Sequence, residues 1–178
     1  MTIAEFATSS GTVFGHAAAT GAIATGAVPW YAPSTIEPFS SVGDVTIHFD
    51  AAGTRLGTAE ARQKPDVVGP DGGNTTFFGT DIPEDADTKP NFFGTSAAAP
   101  HVAGVAALIL DVNPHLTRQQ LRDVLTSTAI DLGVTGRDRI FGFGRVDAEA
   151  ARVAALAVAD TTSPTAALAT PVNTHAWP

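Results

Sequence analysis

The stretch Gly94-Thr95-Ser96-Ala97-Ala98-Ala99-Pro100-His101-Val102-Ala103-Gly104 marks the point where an extended loop becomes an apolar helix. From Ala97 to Leu110 the side chains are mostly Ala, Val, Leu and Ile. This pattern predicts a helix that is buried on all sides. Pro100 is expected in its first turn, where a missing N–H costs nothing. Gly104 is expected to serve close packing. Ser96 then stands at the helix N-terminus, where unpaired N–H groups and the helix dipole favour negative charge.

Ser96 has two interpretations on these grounds. A single serine before a helix is most often an ordinary N-cap. A serine at this place can also be a nucleophile, because the helix N-terminus stabilises the oxyanion that forms during acyl transfer. The eleven-residue stretch resembles the serine-nucleophile block of the subtilisin-like (subtilase) serine proteases. This resemblance favours the nucleophile.

Four further segments resemble subtilases in order and spacing, and the resemblance as a whole covers roughly residues 16 to 158. They comprise an early core strand, the turn that follows it, the strand and turn before the nucleophile loop, and the turn into the last helix: Ala22–Val28, Phe39–Gly43, Lys64–Gly72 and Phe141–Ala148. The resemblance implies an α/β fold. It predicts the C-terminal portion of a subtilisin-like three-layer fold with a mostly parallel sheet, with residues 1–159 as the nucleophile half of the catalytic domain.

The activity that the resemblance implies is hydrolysis of polypeptides through an acyl-enzyme on Ser96. The Ser96 backbone N–H would lie in the oxyanion hole, with Gly94, Thr95 and Pro100 supporting the loop. The aspartate and histidine of the family's triad precede the serine along the chain. Their motifs, and that of the oxyanion asparagine, are not found before Ser96. The carboxylate base of the related sedolisins would also lie upstream.

The chain is therefore expected to be the C-terminal part of a catalytic domain. Its partner would be a missing N-terminal part, and the chain alone would be inactive. Two alternatives stay open. One is a catalytically dead, subtilase-like pseudoenzyme or peptide-binding module, and the other is a decayed gene piece without function.

The five histidines are His16, His48, His101, His115 and His175, and none is expected to act as a base. At the family's position that matches His101, the histidine is structural. His48 lies in Val45–Phe49, whose alternation predicts a strand.

Composition limits the partners. A net charge of −8 argues against nucleic acid, which needs a basic face. The chain has no cysteine, which excludes disulfides. The apolar run around Val102 to Leu110 is too short to span a bilayer, so no membrane span is expected. No signal peptide is found in this sequence, and export to the cell exterior is expected from the resemblance alone.

An acidic segment before the nucleophile loop contains Asp81, Asp85 and Asp87. Clustered carboxylates can bind calcium through oxygen ligands. A solvated acidic loop is the other interpretation. No cofactor is expected to be required, and calcium would be a structural ion.

The C-terminal third contains two more predicted helices. Thr117 and Gln120 form a predicted capping box, with Leu116 against Leu121, for a helix that runs to about Ala129. Asp147 is expected to cap the last helix, which runs to about Ala159. Residues 160–178 are rich in Thr, Pro and Ala and predict a linker that leads to a further domain.

Overall fold

The structure is a computed structural model that describes residues 11–77 and 79–159. In chain order it contains a short 3-10 helix at Gly15–Ala18, the strands β1 to β6 and the helices α1 to α3. The strands are β1 Thr25–Pro29, β2 Val45–Phe49, β3 Arg55–Arg62, β4 Val67–Asp71, β5 Gly73–Asn74 and β6 Asn91–Phe92. The helices are α1 Thr95–Val112, α2 Arg118–Ser127 and α3 Ala148–Ala157.

The centre of the structure is the parallel pair of β1 and β4. Their register runs from Thr25 opposite Val67 to Pro29 opposite Asp71. Nearly every residue of both strands is buried, as expected for parallel strands that are covered on both faces. The α/β fold with a parallel sheet is thus confirmed. Val45–Phe49 is a strand, as its alternation predicts, and it forms an antiparallel hairpin with β3 that was not predicted. Strands β5 and β6 form a second, very short antiparallel pair.

The core lies on both faces of β4. Val67 packs with Val102 and Ile109 of α1, whereas Val68 packs with Val28 and Phe141. Adjacent strand residues point to opposite faces, so the helices cover one face of the sheet and the Phe141 loop covers the other. The larger cluster also includes Val124, Leu125, Val146, Ala151 and Ala155, through which α2 and α3 join the core.

Helix α1 is less buried than predicted. It packs on β1, β4 and α3, and among its residues only Ala97, Ala98, Val102 and Ile109 are buried. Leu108 keeps 51% of its surface exposed. The expectation of burial on all sides was therefore wrong for the part of the chain that is described, because its neighbours cover one face of the helix.

Two details of α1 also differ from prediction. The helix begins at Thr95, so Pro100 is its sixth residue and lies beyond the first turn. The carbonyl of Ser96, four residues earlier, consequently loses its intrahelical N–H donor. A Cβ on Gly104 would meet no described atom within 4 Å, so close packing does not account for this glycine.

The 18 residues of α1 have a mean hydropathy of 1.4, and by length and composition alone they could cross a membrane. The whole helix is long and apolar enough to meet this criterion, whereas the apolar run from Val102 to Leu110 is too short. Core helices of globular proteins meet it as well, and α1 packs against the sheet. The absence of a membrane span stays a prediction.

The later helices follow the predicted signals closely. Thr117 Oγ1 accepts a hydrogen bond from the Gln120 N–H, and Gln120 Oε1 accepts one from the Thr117 N–H, which completes the capping box. Asp147 Oδ1 accepts from the Ala150 N–H and caps α3. Both helices end two residues earlier than expected, at Ser127 and Ala157. The predicted linker of residues 160–178 lies outside the described residues.

Candidate functional site

Ser96 lies on the surface, where β6 turns through Gly94 into α1. Gly94 has φ 136°, a conformation that side chains rarely adopt, and it forms the N-cap of the helix. Ser96 is the second helical residue and is exposed. Its hydroxyl has no hydrogen-bond partner among residues 11–77 and 79–159. The local chain thus presents a free hydroxyl at a helix N-terminus.

The same turn leaves donors beside that hydroxyl. The Gly94 carbonyl accepts hydrogen bonds from the N–H groups of Ala97 at 2.8 Å and Ala98 at 3.1 Å. The N–H groups of Thr95 and Ser96 precede them and have no acceptor within the helix. The positive end of the helix dipole adds to their field. The Ser96 N–H can therefore donate to an oxyanion that forms next to its own side chain.

The other residues that were predicted to support the loop lie in the first two turns of α1. Thr95 is the first residue of α1 and is half-buried. Pro100 is exposed, and with Ala97 and His101 it lines a small cavity of about 160 Å³. A larger cavity of about 730 Å³ lies between α1, α2 and the segment before β1. Neither cavity is lined by Ser96.

The histidines do not supply a base to Ser96 within the described residues. His101 Nδ1 lies 2.8 Å from the Ala97 carbonyl oxygen, so its ring bonds the helix that carries it. His16 lies in the 3-10 helix, His48 in β2 and His115 in the turn before α2. His175 lies outside the described residues.

Two carboxyl groups beside the nucleophile loop were missed by the sequence analysis. Asp71, the last residue of β4, is fully buried, and its Oδ2 accepts a hydrogen bond from the Gly94 N–H at 2.7 Å. Glu37 lies in the turn after β1, where burial raises the pKa of its carboxyl group and the charge of the nearby Asp71 carboxyl group raises it further. Asp71 lies within the segment Lys64–Gly72, which resembles the subtilase strand and turn before the serine loop. No sequence pattern pointed to Glu37.

Three aromatic rings lie beside these carboxyl groups. Ring centroids are 5.8 Å apart for Trp30 and Tyr31 and 6.4 Å apart for Tyr31 and Phe93, with edge-on geometry in both pairs. Phe93 directly precedes Gly94. Burial raises the pKa of the Tyr31 hydroxyl, and the negative charges of Glu84, Glu37 and Asp71 raise it further. The side of the loop that carries these rings is thus both aromatic and acidic.

The acidic segment forms hydrogen bonds with neighbouring amides. Asp85 Oδ2 accepts from Asn91 Nδ2 at 2.8 Å, and Asp87 Oδ2 accepts from Asn74 Nδ2. Asp81 is exposed and takes no part in these bonds. No group of three or more metal-ligating side chains converges in the part of the chain that the structure describes. The calcium site therefore stays a prediction without geometric support.

Comparisons with known proteins identify the family of the chain. A profile of the subtilase family, Peptidase S8, matches residues 6–144. The chain is 36% identical to subtilisin of Bacillus pumilus over 154 residues, which cover 84% of this chain and 50% of that protein. It is 51% identical to an extracellular serine protease of Serratia marcescens over 57 residues, which cover 32% of this chain and 6% of that protein.

A solved structure shows the same architecture. Fervidolysin from Fervidobacterium pennivorans, a keratinolytic enzyme related to subtilisin, aligns with a TM-score of 0.55 and 26% identity. The alignment covers 78% of this chain and 20% of fervidolysin. The chain spans half the length or less of these relatives. Because the family profile covers most of its residues, the chain belongs to the subtilase family.

Proposed function

We propose that this chain carries the nucleophile of a serine endopeptidase and that Ser96 is that nucleophile. The observation that carries the proposal is the exposed Ser96 hydroxyl, free of described partners, at the N-terminus of α1. A capping serine would instead bond the N–H of the residue two or three places ahead. Here the N-cap is Gly94, and Ser96 is the second helical residue, so its hydroxyl does not cap the helix.

The reaction divides into acylation and hydrolysis. Ser96 Oγ attacks the carbonyl carbon of a peptide bond, and the Ser96 N–H donates to the oxyanion of the tetrahedral intermediate. The amine leaves with a proton, and an ester to Ser96 remains. Water then attacks the ester carbonyl, releasing the acid and restoring the hydroxyl. Each half-reaction needs a general base, because a neutral serine hydroxyl is a weak nucleophile.

The base and the group that orients it are proposed to come from a preceding segment, outside these 178 residues. The location of His101, bonded to its own helix, supports this assignment. The chain alone should therefore turn over peptides at a negligible rate. Its polypeptide substrate and its export to the cell exterior are proposed from the extracellular serine proteases that it resembles. No cofactor is assigned to the reaction.

The first test is to read the coding DNA immediately upstream of the Met1 codon. An open frame with an Asp-x-Gly turn and a His-Gly helix start is the expected result, and the extended protein should hydrolyse a peptide p-nitroanilide. Treatment with phenylmethylsulfonyl fluoride should place a phenylmethylsulfonyl group on Ser96. Ser96→Ala should abolish both the hydrolysis and this adduct. The matched control is Ser127→Ala, since Ser127 lies at the end of α2 and bonds only the Val124 carbonyl. Hydrolysis that survives Ser96→Ala would disprove the assignment.

A peptide-binding pseudoenzyme is the second candidate function. The exposed Trp30 and Tyr31 beside Phe93 favour it, because these rings could pack against a peptide without any base at Ser96. An in-frame stop codon just upstream of the Met1 codon would favour this function over that of an endopeptidase. The 178-residue chain would then bind a peptide, measured by calorimetry, without cleaving it.

A further inference from the structure

The buried carboxyl group of Asp71 connects the central sheet to the nucleophile loop. Its Oδ2 accepts the Gly94 N–H at 2.7 Å, two residues before Ser96. Its Oδ1 is also buried, yet no N–H or hydroxyl group of the described residues donates to it. A buried oxygen without a donor is costly. The arrangement therefore calls for a donor next to Asp71 Oδ1.

Glu37 is placed to be that donor. Its backbone N–H bonds the Ala27 carbonyl of β1 at 2.9 Å, which holds the turn against the sheet. Its carboxyl group lies beside the Asp71 carboxyl group, near enough for each to act on the pKa of the other. Asp71 is fully buried and Glu37 is half-buried, so ionising both carboxyl groups side by side is costly, which favours one shared proton.

The environment decides which carboxyl group keeps that proton. Burial raises the pKa of Glu37, and the charge of Asp71 and the hydrogen bond to it raise that pKa further. Burial also raises the pKa of Asp71, but the Gly94 N–H and the bond to Glu37 act to lower it. These directions favour Glu37 as the protonated partner and Asp71 as the carboxylate.

We propose that Glu37 is a positioning residue for the nucleophile loop. Its protonated carboxyl group donates to Asp71 and keeps the Asp71 carboxylate on the Gly94 N–H, which fixes the backbone that presents Ser96. Loss of the proton places two negative charges side by side, and Asp71 then withdraws from Gly94. The inference rests on the proposed role of Ser96, because the loop that Glu37 would hold in place is the one that presents that residue.

Other titratable groups lie near the pair of Glu37 and Asp71, and their effects must be distinguished from the titration of the pair. His101 of α1 acts on Asp71 by its charge. Tyr31 lies close enough to feel both carboxylates, and its raised pKa keeps it neutral at neutral pH. Glu84 faces Tyr31. His101→Gln and Glu84→Gln therefore serve as controls that leave the pair itself intact.

The experiment is a pH titration of the isotopically labelled 178-residue chain, followed by NMR. The signals are the carboxyl carbons of Glu37 and Asp71 and the amide groups of Gly94 and Ser96. We expect the Glu37 carbon and both amides to move with one shared midpoint above the ordinary glutamate value of 4.5. This titration should remain in both control variants and in Ser96→Ala.

Two variants of Glu37 separate positioning from general stability. Glu37→Gln keeps a donor at every pH, so the Gly94 amide should stay at its low-pH position and no longer titrate. Glu37→Ala removes the donor, and the Gly94 amide should be displaced at every pH. Rescue by Gln and not by Ala is a result that a merely space-filling role would not produce.

Two results would overturn the proposal. One is a Glu37 carbon that titrates at its ordinary value while Gly94 stays still. The other is a Gly94 titration that persists in Glu37→Gln. Neither result depends on catalysis, so both are distinct from a failure of the proposed function, which Ser96→Ala tests in the extended protein.

Discussion

The ammonium group of Lys64 lies 2.8 Å from Asp66 Oδ2, and both side chains are buried. The same Asp66 carboxylate accepts the Ala24 N–H at 2.7 Å and pairs through Oδ1 with Arg122 of α2. Lys64 also donates to the Ala22 carbonyl. This network joins the segment before β1, the segment before β4 and helix α2 at the N-terminal end of the β1 and β4 pair.

Removing the charge of Asp66 should be strongly destabilising. In Asp66→Asn the buried Lys64 ammonium keeps its charge without a counter-ion, and breaking a buried pair in this way costs about 3–5 kcal/mol. Urea unfolding followed by circular dichroism measures the loss. Arg152→Ala is the control, because its pair with Glu149 is largely exposed, and no measurable change is expected there. A loss below about 1 kcal/mol in Asp66→Asn would show that the network contributes little.

The capping box of α2 should make a measurable contribution to stability. Thr117→Ala removes the oxygen that accepts the Gln120 N–H, and a lost N-cap costs about 1 kcal/mol. Thr117→Ser keeps the oxygen and should retain most of that stability. The comparison uses urea midpoints of the two variants. Equal midpoints for Ala and Ser would argue against the cap.

Gly142 should not tolerate a side chain. Its φ is +64°, and a Cβ there would lie 2.3 Å from the Asp66 carbonyl oxygen. Gly142→Ala should therefore cost at least about 2 kcal/mol, from the left-handed conformation together with the displaced backbone. Gly57→Ala is the matched control, since no described atom lies within 4 Å of its Cβ. That control should be neutral or stabilising by up to about 1 kcal/mol.

The carboxyl pair should also affect stability as a function of pH. The pKa of Glu37 and that of Asp71 are raised by folding, so folding takes up protons. Their contribution is fully present below the ordinary values of 4.5 and 3.8 and is lost as pH rises through the folded values. Glu37→Gln should therefore gain stability relative to the natural chain as pH rises from 4 to 8. Thermal melts of both proteins test this expectation, and a pH-independent difference would contradict it.

The helical half of the fold could be predicted because its signals are local. The apolar run after Ser96, the Thr117 and Gln120 box and the Asp147 cap each involve residues within a few positions of one another. The extent of burial around α1 could not be predicted in the same way. An apolar composition favours burial, but which face is covered depends on the elements that pack there, and the described part of the chain covers only one.

The nucleophile block also followed from the sequence, since its loop, glycine cap and helix are contiguous. The groups that hold this block in place could not be predicted from the sequence. Asp71 is 23 residues from Gly94, and Arg122 is 56 residues from Asp66. Residue types and spacing thus determined on their own the family and the helices, and they are the basis of the proposal for Ser96. The tertiary structure alone decided which carboxyl groups meet, because the parallel pairing of β1 with β4 brings Glu37 beside Asp71 and the fold buries Asp71 against the Gly94 N–H.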